Sequence, residues 1–389
     1  MTAQRHPDGP VLVVGSGLAG WTAVREFRKL DANTPVVLIT ADTGDFYGKP
    51  ALSTALAQGR TPAQLVTMPA DQMRETLNVT VMAHTHVTRL DVQAQAVHTA
   101  QGVLTYRDLV LATGAHPIRL SLGGNAASEV MSVNDLASYT VFRQSLLPQS
   151  RVLVIGAGLI GCEFANDLAA KHYAVQVVDP NAVPLAALLP EAVGAQLQAA
   201  LQALGVQWHF GTSVQTVDRT DDGLVVTFAN GQQTVVDVVL SAVGLRADVA
   251  LAQAAGLTTE RGIVVNAQLQ TSAAHVYALG DNAQYASDSV GGVARTLPYV
   301  LPIMHAGKAL AQTLAGTPTA VQFPLMPVAI KTPALPLVVA SAALGTVGAW
   351  QVVGEGLWHF VDAEGQVRGF VLSGSSTNRR MEQAKLVTA

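Results

Sequence analysis

The sequence predicts an α/β chain: two Rossmann-like dinucleotide-binding domains and a small C-terminal α+β domain. Three observations carry that expectation. An apolar, β-branched run ending in glycine occurs at Pro10–Gly15 and returns at Arg151–Gly156. Each run opens an amphipathic stretch and then a second apolar run, the order strand, helix, strand. After Gln322 the pattern changes to short segments of alternating polarity.

The first unit reads as a strand to Val14, a helix over Leu18–Leu30 and a strand over Pro35–Thr40. Thr105–Ala115 then reads as an apolar strand closing on Ala112-Thr113-Gly114, and the turn-rich Pro117–Ser132 marks a domain seam. In the second unit the helix covers Leu159–Lys171 and the next strand Ala174–Val178. Val235–Gly244 and Val276–Asp281 are further apolar strands that end in glycine or Gly280-Asp281, as strands do at a ligand crevice. Trp350–Val353, Leu357–Asp362 and Val367–Leu372 alternate around a turn at Glu364-Gly365, and a helix over Thr377–Leu386 follows. The expected domains are 1–116 with 240–321, 117–239, and 322–389.

Composition narrows the function classes. A charged fraction of 13% is about half the usual ~25%, which argues for packed cores and against disorder. The net charge of −4, with no long basic run, offers no footprint for nucleic acid or an anionic membrane. Thr332–Trp350 is long and uncharged, but Pro333, Pro336, Gly345 and Gly348 would leave backbone unsatisfied in lipid, so no membrane span is expected. Met1–Pro10 does not read as a signal peptide, and a cytoplasmic protein is expected. Cys162 is the only cysteine, which leaves no thiolate cluster or CxxC pair. His84 and His86 read as alternating on one strand face without further ligands, so no metal site is expected.

Gly15-Ser16-Gly17-Leu18-Ala19-Gly20 sits between strand and helix, where glycines let a pyrophosphate approach backbone and rest on the helix N-terminus. Its place at the start of the chain suits FAD. A carboxylate usually ends the second strand to hold the ribose, yet Thr40 stands there and Asp42 comes two positions late. Thr40 and the backbone of Ala41 are expected at the ribose, with Asp42 as the alternative.

Gly156-Ala157-Gly158-Leu159-Ile160-Gly161 repeats the fingerprint, and here the second strand does end in an acid, Asp179. A carboxylate there accepts from the 2′-hydroxyl of NADH and repels the 2′-phosphate of NADPH. Residues 180–191 contain no Arg or Lys to welcome that phosphate. A turn-capping role for Asp179, before Pro180, is the competing reading.

With both fingerprints, Ala112-Thr113-Gly114 and Gly280-Asp281 in place, the chain resembles the two-dinucleotide-domain flavoprotein reductases of glutathione-reductase-like fold. Within them it looks closest to the rubredoxin–NAD⁺ reductase family. The resembling stretches are TADTGDFYGKPALST, RVLVIGAGLIGCEFANDLA, SAVGLR, TSAAHVYALGDNAQ and MPVAIKTPALPLVV. The resemblance implies FAD on the first domain and the returning Gly280-Asp281 segment, with NADH on the inserted domain. It implies Ser16–Ala19 at the pyrophosphate, Val87 presenting backbone to the adenine, and Asp281 on a ribityl hydroxyl. It also places Thr113, Gly114 and Gly244 in the cofactor crevices. Lys49, beside Pro50, would lie near flavin N5 and pair with Glu163, while Val300 and Lys331 would approach the pyrimidine end. A cation there stabilises the hydride-accepting product.

Flavoproteins of this architecture that reduce disulfides need a cysteine beside the flavin, but Tyr47-Gly48-Lys49 occupies that stretch. The flavin itself must then pass electrons on singly, and the resemblance implies rubredoxin as acceptor, supplying a hydroxylase (alkane hydroxylation) or oxygen defence. A ferredoxin of an oxygenase system is the alternative acceptor, and a NADH-sensing flavin interaction protein the alternative class. Arg379, Arg380 and Lys385 could steer an acidic partner or simply form a solvated face.

Overall fold

Four-residue runs of Val and Leu build the centres of two parallel sheets. In the computed structural model, which describes residues 9–387, every side chain of Val11–Val14 is buried between Val36–Ile39 and Asp108–Leu111. Cover on both faces is what lets a continuous apolar run stand as a central strand. Each such fully buried side chain contributes about 1.5–3 kcal/mol.

The chain folds as two compact units. One contains the described residues through Gly48, Val66–His116 and Arg246–Met326. Its parallel sheet runs Val276–Ala278, Asp108–Leu111, Val11–Val14, Val36–Ile39, Thr80–Met82. Helices Leu18–Arg28 and Val300–Leu314 pack together in it, with the Thr22 hydroxyl 3.9 Å from Met304 Sδ. The antiparallel strands Val87–Asp91, Ala96–Thr99 and Gly102–Thr105 belong to this unit as well.

The other unit contains Lys49–Leu65, Pro117–Leu245 and the chain from Pro327. Its parallel sheet runs Gln207–Phe210, Ala174–Asp179, Arg151–Ile155, Val238–Ser241. Alternate residues of the central strand serve opposite faces: Val152 and Val154 pack with helices Leu159–Ala169 and Glu191–Ala203, and Leu153 and Ile155 with the meander Val214–Phe228. The C-terminal chain forms a five-stranded antiparallel sheet in the order Val328–Ile330, Leu337–Ala340, Val367–Ser373, Leu357–Asp362, Gly348–Gly354. Ile330, Leu337, Val339, Trp358 and Val371 of this sheet enter the core of Val152 and Val154.

Several expectations differ from these elements. Residues 49–65 fall in the second unit because Leu52, Ala55, Leu56 and Leu65 bury in its core. Val235–Gly244 is not one strand: it breaks at Asp237 into Gln233–Val236 and Val238–Ser241. Asp237 accepts the Arg151 N–H at 2.7 Å and holds its guanidinium, so the polar residue serves a strand crossing instead of a ladder. The final helix is a 3-10 turn over Gly374–Arg379 followed by Arg380–Ala384. His84 lies in a turn at φ 50°, off any strand face. Thr332–Trp350 contains the strand Leu337–Ala340, loop and the start of the strand Gly348–Gly354, and no helix among the described residues is long and apolar enough to cross a membrane. The residues read as lacking a leader lie mostly outside the described range.

Candidate functional site

The carboxyl ends of the first parallel sheet assemble one open cradle at a glycine turn. Gly15 takes φ +110°, and a Cβ on it would sit 2.2 Å from the Ala112 carbonyl oxygen, so only glycine lets the two strand ends meet. Gly17 is the N-cap of Leu18–Arg28 with no side-chain cap, and a Cβ there would meet nothing within 4 Å. The first-turn N–H groups thus face open space, the donor set that suits a pyrophosphate. Gly280, at φ +89°, brings the next strand end against this turn: its Cβ would lie 2.7 Å from that of Ala19. The Gly280 N–H donates to the Tyr285 hydroxyl at 2.9 Å, and burial pushes that phenol up from its ordinary pKa. Asp281 follows, partly exposed.

Thr40 is 5% exposed, its hydroxyl 2.9 Å from Ser16 Oγ and accepting the Asp42 N–H at 3.2 Å. The threonine ties the second strand end to the glycine turn, while the Asp42 carboxylate accepts the Thr43 N–H at 2.7 Å. Thr113 donates to the Asp248 carbonyl at 3.1 Å beside Gly114, which takes φ +76°. Val87 opens the strand Val87–Asp91, and exposed Val300 opens Val300–Leu314, whose N-cap Tyr299 supplies no side-chain cap.

The second cradle repeats the first. Gly156 takes φ +102° and its Cβ would lie 2.8 Å from the Ala242 carbonyl oxygen, two residues before Gly244. Gly161 packs against the turn, and Gly158 caps Leu159–Ala169 with its Cβ position open. Asp179 Oδ2 accepts the Ala157 N–H at 2.7 Å, and Oδ1 accepts the Asn181 N–H and Nδ2–H at 2.8 and 2.7 Å. A carboxylate has about four acceptor directions, so one remains for a ribose hydroxyl. The turn-clamping reading of Asp179 is thus observed, and the count of acceptor directions leaves the ribose reading compatible with it.

Glu163 is fully buried in this second unit. Lys331 is a cation on it, a pairing added to the one with Lys49 that the resemblance implies. Oε2 accepts from Lys331 Nζ and from the Ser53 hydroxyl, the latter at 2.6 Å, and Oε1 accepts the Lys331 backbone N–H at 3.0 Å. Lys331 Nζ also donates to Ser53 Oγ at 3.0 Å, so its charge is directed into this network. Lys49 and Pro50 begin the exposed 3-10 turn Lys49–Ala51 that leads to Ser53.

The same helix carries two residues that sequence reasoning missed. Asn166 accepts the Ala334 N–H at 3.0 Å, and Asp167 accepts the N–H groups of Leu56 and Ala57 at 3.0 and 2.8 Å. Burial raises the Asp167 pKa, while those two bonds and the charges of Arg143 and Lys331 oppose the shift. Glu163, Asn166 and Asp167 stand at i, i+3 and i+4, one helix face, and hold the 53–57 and 331–334 segments. Spacing on an apolar helix was the one available signal. Ser53 carried none.

Cys162 is fully buried, donates to the Ala157 carbonyl at 3.3 Å, and has its thiol pKa pushed up by burial. It packs and does not react. Arg379 is paired with Glu382 at 2.7 Å, which offsets one of the three positive charges there. Among the described residues no group of three His, Cys, Asp or Glu could hold a metal ion.

Residues 9–312 match the family model described as pyridine nucleotide-disulphide oxidoreductase, and residues 320–387 that of a rubredoxin binding C-terminal domain. The chain is 44% identical over 384 residues to a rubredoxin-NAD(+) reductase of Alcanivorax borkumensis, covering 98% of this chain and 99% of that protein. It is 41% identical over 368 residues to a nitric oxide reductase FlRd-NAD(+) reductase of Aeromonas salmonicida, covering 94% and 92%. It also superposes on a chain of the covalent putidaredoxin reductase–putidaredoxin complex with TM-score 0.89 at 24% identity, covering 97% and 93%. That likeness shows the shared fold.

Proposed function

This chain belongs to the pyridine nucleotide-disulphide oxidoreductase family, and we propose that it is a NADH-dependent FAD flavoprotein that reduces rubredoxin. The observation that carries the reading is the pair of uncapped helix N-termini at Gly17 and Gly158, each open above its glycine turn, in a chain with a rubredoxin-binding segment. Bound FAD supplies the conversion between a two-electron hydride donor and a one-electron acceptor.

The chain's own residues do the positioning. Gly15 to Gly20 and Gly280-Asp281 hold FAD through backbone N–H groups and one carboxylate, with Thr40, Ala41, Val87, Thr113, Gly114 and Val300 along the same molecule. Gly156, Gly158 and Gly161 hold the pyrophosphate of NADH, beside Gly244, while the open lone pair of Asp179 accepts the 2′-hydroxyl. A 2′-phosphate would bring its charge against that carboxylate. Glu163, Ser53 and Lys331 set the height of the second helix, and Lys49-Pro50 leads into them. With Cys162 buried and no second cysteine, no thiol shares the electrons.

Stopped-flow mixing tests this directly. NADH should bleach the flavin at least tenfold faster than NADPH, and rubredoxin should restore the colour faster than a ferredoxin. Equal rates with the two coenzymes would remove the Asp179 reading, and faster return with ferredoxin would favour the oxygenase alternative. Multiple turnover on either carrier counts against a purely sensing role.

We further place the protein in the cytoplasm, with its rubredoxin supplying a hydroxylase that acts on alkanes. Deleting the chain should slow growth on a long alkane while leaving growth on acetate intact. Unchanged growth on both would point to detoxification of oxygen species or nitric oxide instead.

A further inference from the structure

The edge strand Val276–Ala278 ends its ladder with Ala278 opposite Leu111, and the Leu279 N–H still reaches the Leu111 carbonyl at 3.2 Å. The next amide, that of Gly280, is buried beyond the ladder, so its N–H needs an acceptor from elsewhere. The Tyr285 hydroxyl supplies it at 2.9 Å and lies 3.5 Å from the Gly280 carbonyl oxygen as well. One side chain thus spans both polar groups of the glycine that turns the chain at φ +89°. The turn has no slack toward the helix Leu18–Arg28, since a Cβ on Gly280 would already stand 2.7 Å from that of Ala19.

Tyr285 is itself held on two sides. Its ring is fully buried, with Phe323 edge-on at 4.8 Å between centroids. Its main chain exchanges two bonds with Arg295, at 3.0 and 3.2 Å, on the segment that runs to Val300 at the start of Val300–Leu314. Burial pushes the phenol up from its ordinary pKa, the Gly280 N–H opposes that shift, and the Asp281 charge adds to it, so the hydroxyl keeps its proton at neutral pH. The ladder has already ended where this hydroxyl acts. What it fixes is the path of Gly280-Asp281 beside Ala19.

Resting on the FAD reading above, we propose that Tyr285 is a positioning residue for FAD. Its hydroxyl sets the Gly280 backbone in advance, so that Asp281 stands in its place in the cradle before the cofactor arrives and binding does not have to order that turn. The ring stays in the core and touches no ligand.

Tyr285→Phe removes the hydroxyl and keeps the ring and the Arg295 bridge. In the FAD-free variant the Gly280 N–H is released toward the open cradle, and FAD must draw the turn back. The FAD dissociation constant should therefore rise roughly tenfold, the effect of one lost bond at a buried donor. The melting temperature should fall less in the FAD-free protein than in the FAD-loaded one. Asp281→Ala supplies the coupling: in that background Tyr285→Phe should raise the dissociation constant only about threefold or less, because the carboxylate it places is absent. Equal falls of the two melting temperatures with unchanged FAD affinity, or a full tenfold effect repeated in the Asp281→Ala background, overturn the assignment. Amide exchange in the FAD-free parent needs no variant: the Gly280 N–H should exchange as slowly as that of Leu279, and fast exchange there overturns it too. A parent protein that binds no FAD, with Gly280 exchange still slow, would instead sink the function proposed above.

Discussion

Gly17→Val should yield a folded, colourless protein, and Gly158→Val a folded yellow one that NADH no longer reduces. The two glycines occupy equivalent positions, with φ −68° and ψ −175° at Gly17 and φ −75° and ψ −171° at Gly158. Both conformations are extended backbone open to any residue. A Cβ at either would meet no protein atom within 4 Å, so neither substitution disturbs the polypeptide. What a branched side chain would displace is whatever rests on the helix N-terminus. The second glycine of this fingerprint admits backbone to close contact with a pyrophosphate, so a loss on the order of a hundredfold in affinity is expected for the ligand of that cradle alone. Flavin absorbance of the purified variants and the rate of bleaching by NADH read the two outcomes. Retention of flavin by Gly17→Val, or loss of it by Gly158→Val, would exchange or abolish the assignments.

Those glycines were legible because the information is local. Strand, turn and helix fall within a stretch whose periodicity changes at Gly15 and at Gly156, and Asp179 stands where a strand end should present an acid. The break at Asp237 was hidden by its apolar neighbours, since one polar residue in a run of valines does not announce a strand crossing. Contacts made through the backbone left still less trace. Asp167 selects the N–H groups of Leu56 and Ala57, and any residue but proline offers one. The contact of Lys331 with Glu163 was the hardest to read: Lys49 and Lys331 both precede a proline, an alanine and a leucine, and the sequence does not say that both of these similar segments close on the helix.

That closure sets the second large effect, an asymmetry between the partners. Lys331→Met should destabilise the second unit by about 3 kcal/mol, and Glu163→Gln by roughly half as much. The Glu163 side chain is fully buried, whereas that of Lys331 is 32% exposed. Without Lys331 the buried carboxylate keeps the Ser53 hydroxyl and the backbone N–H of residue 331 but loses the ammonium that its Oε2 accepts from. Without the charge on Glu163 the ammonium can still turn toward solvent, and the glutamine retains an acceptor for Ser53. The double variant should cost less than the two single losses added, because an apolar side chain then faces a neutral amide. Trp208, Trp350 and Trp358 lie in this unit and Trp21 in the other, so in a Trp21→Phe background tryptophan fluorescence during urea unfolding reports the second unit while flavin release follows the first. Reductive kinetics supply the functional half. Glu163 sits in the first turns of the helix capped by Gly158, so Glu163→Gln should slow bleaching by NADH with FAD retained. Equal destabilisation by the two single variants would mean that solvent does not rescue the lysine, and an unchanged bleaching rate in Glu163→Gln would confine the network to holding the fold.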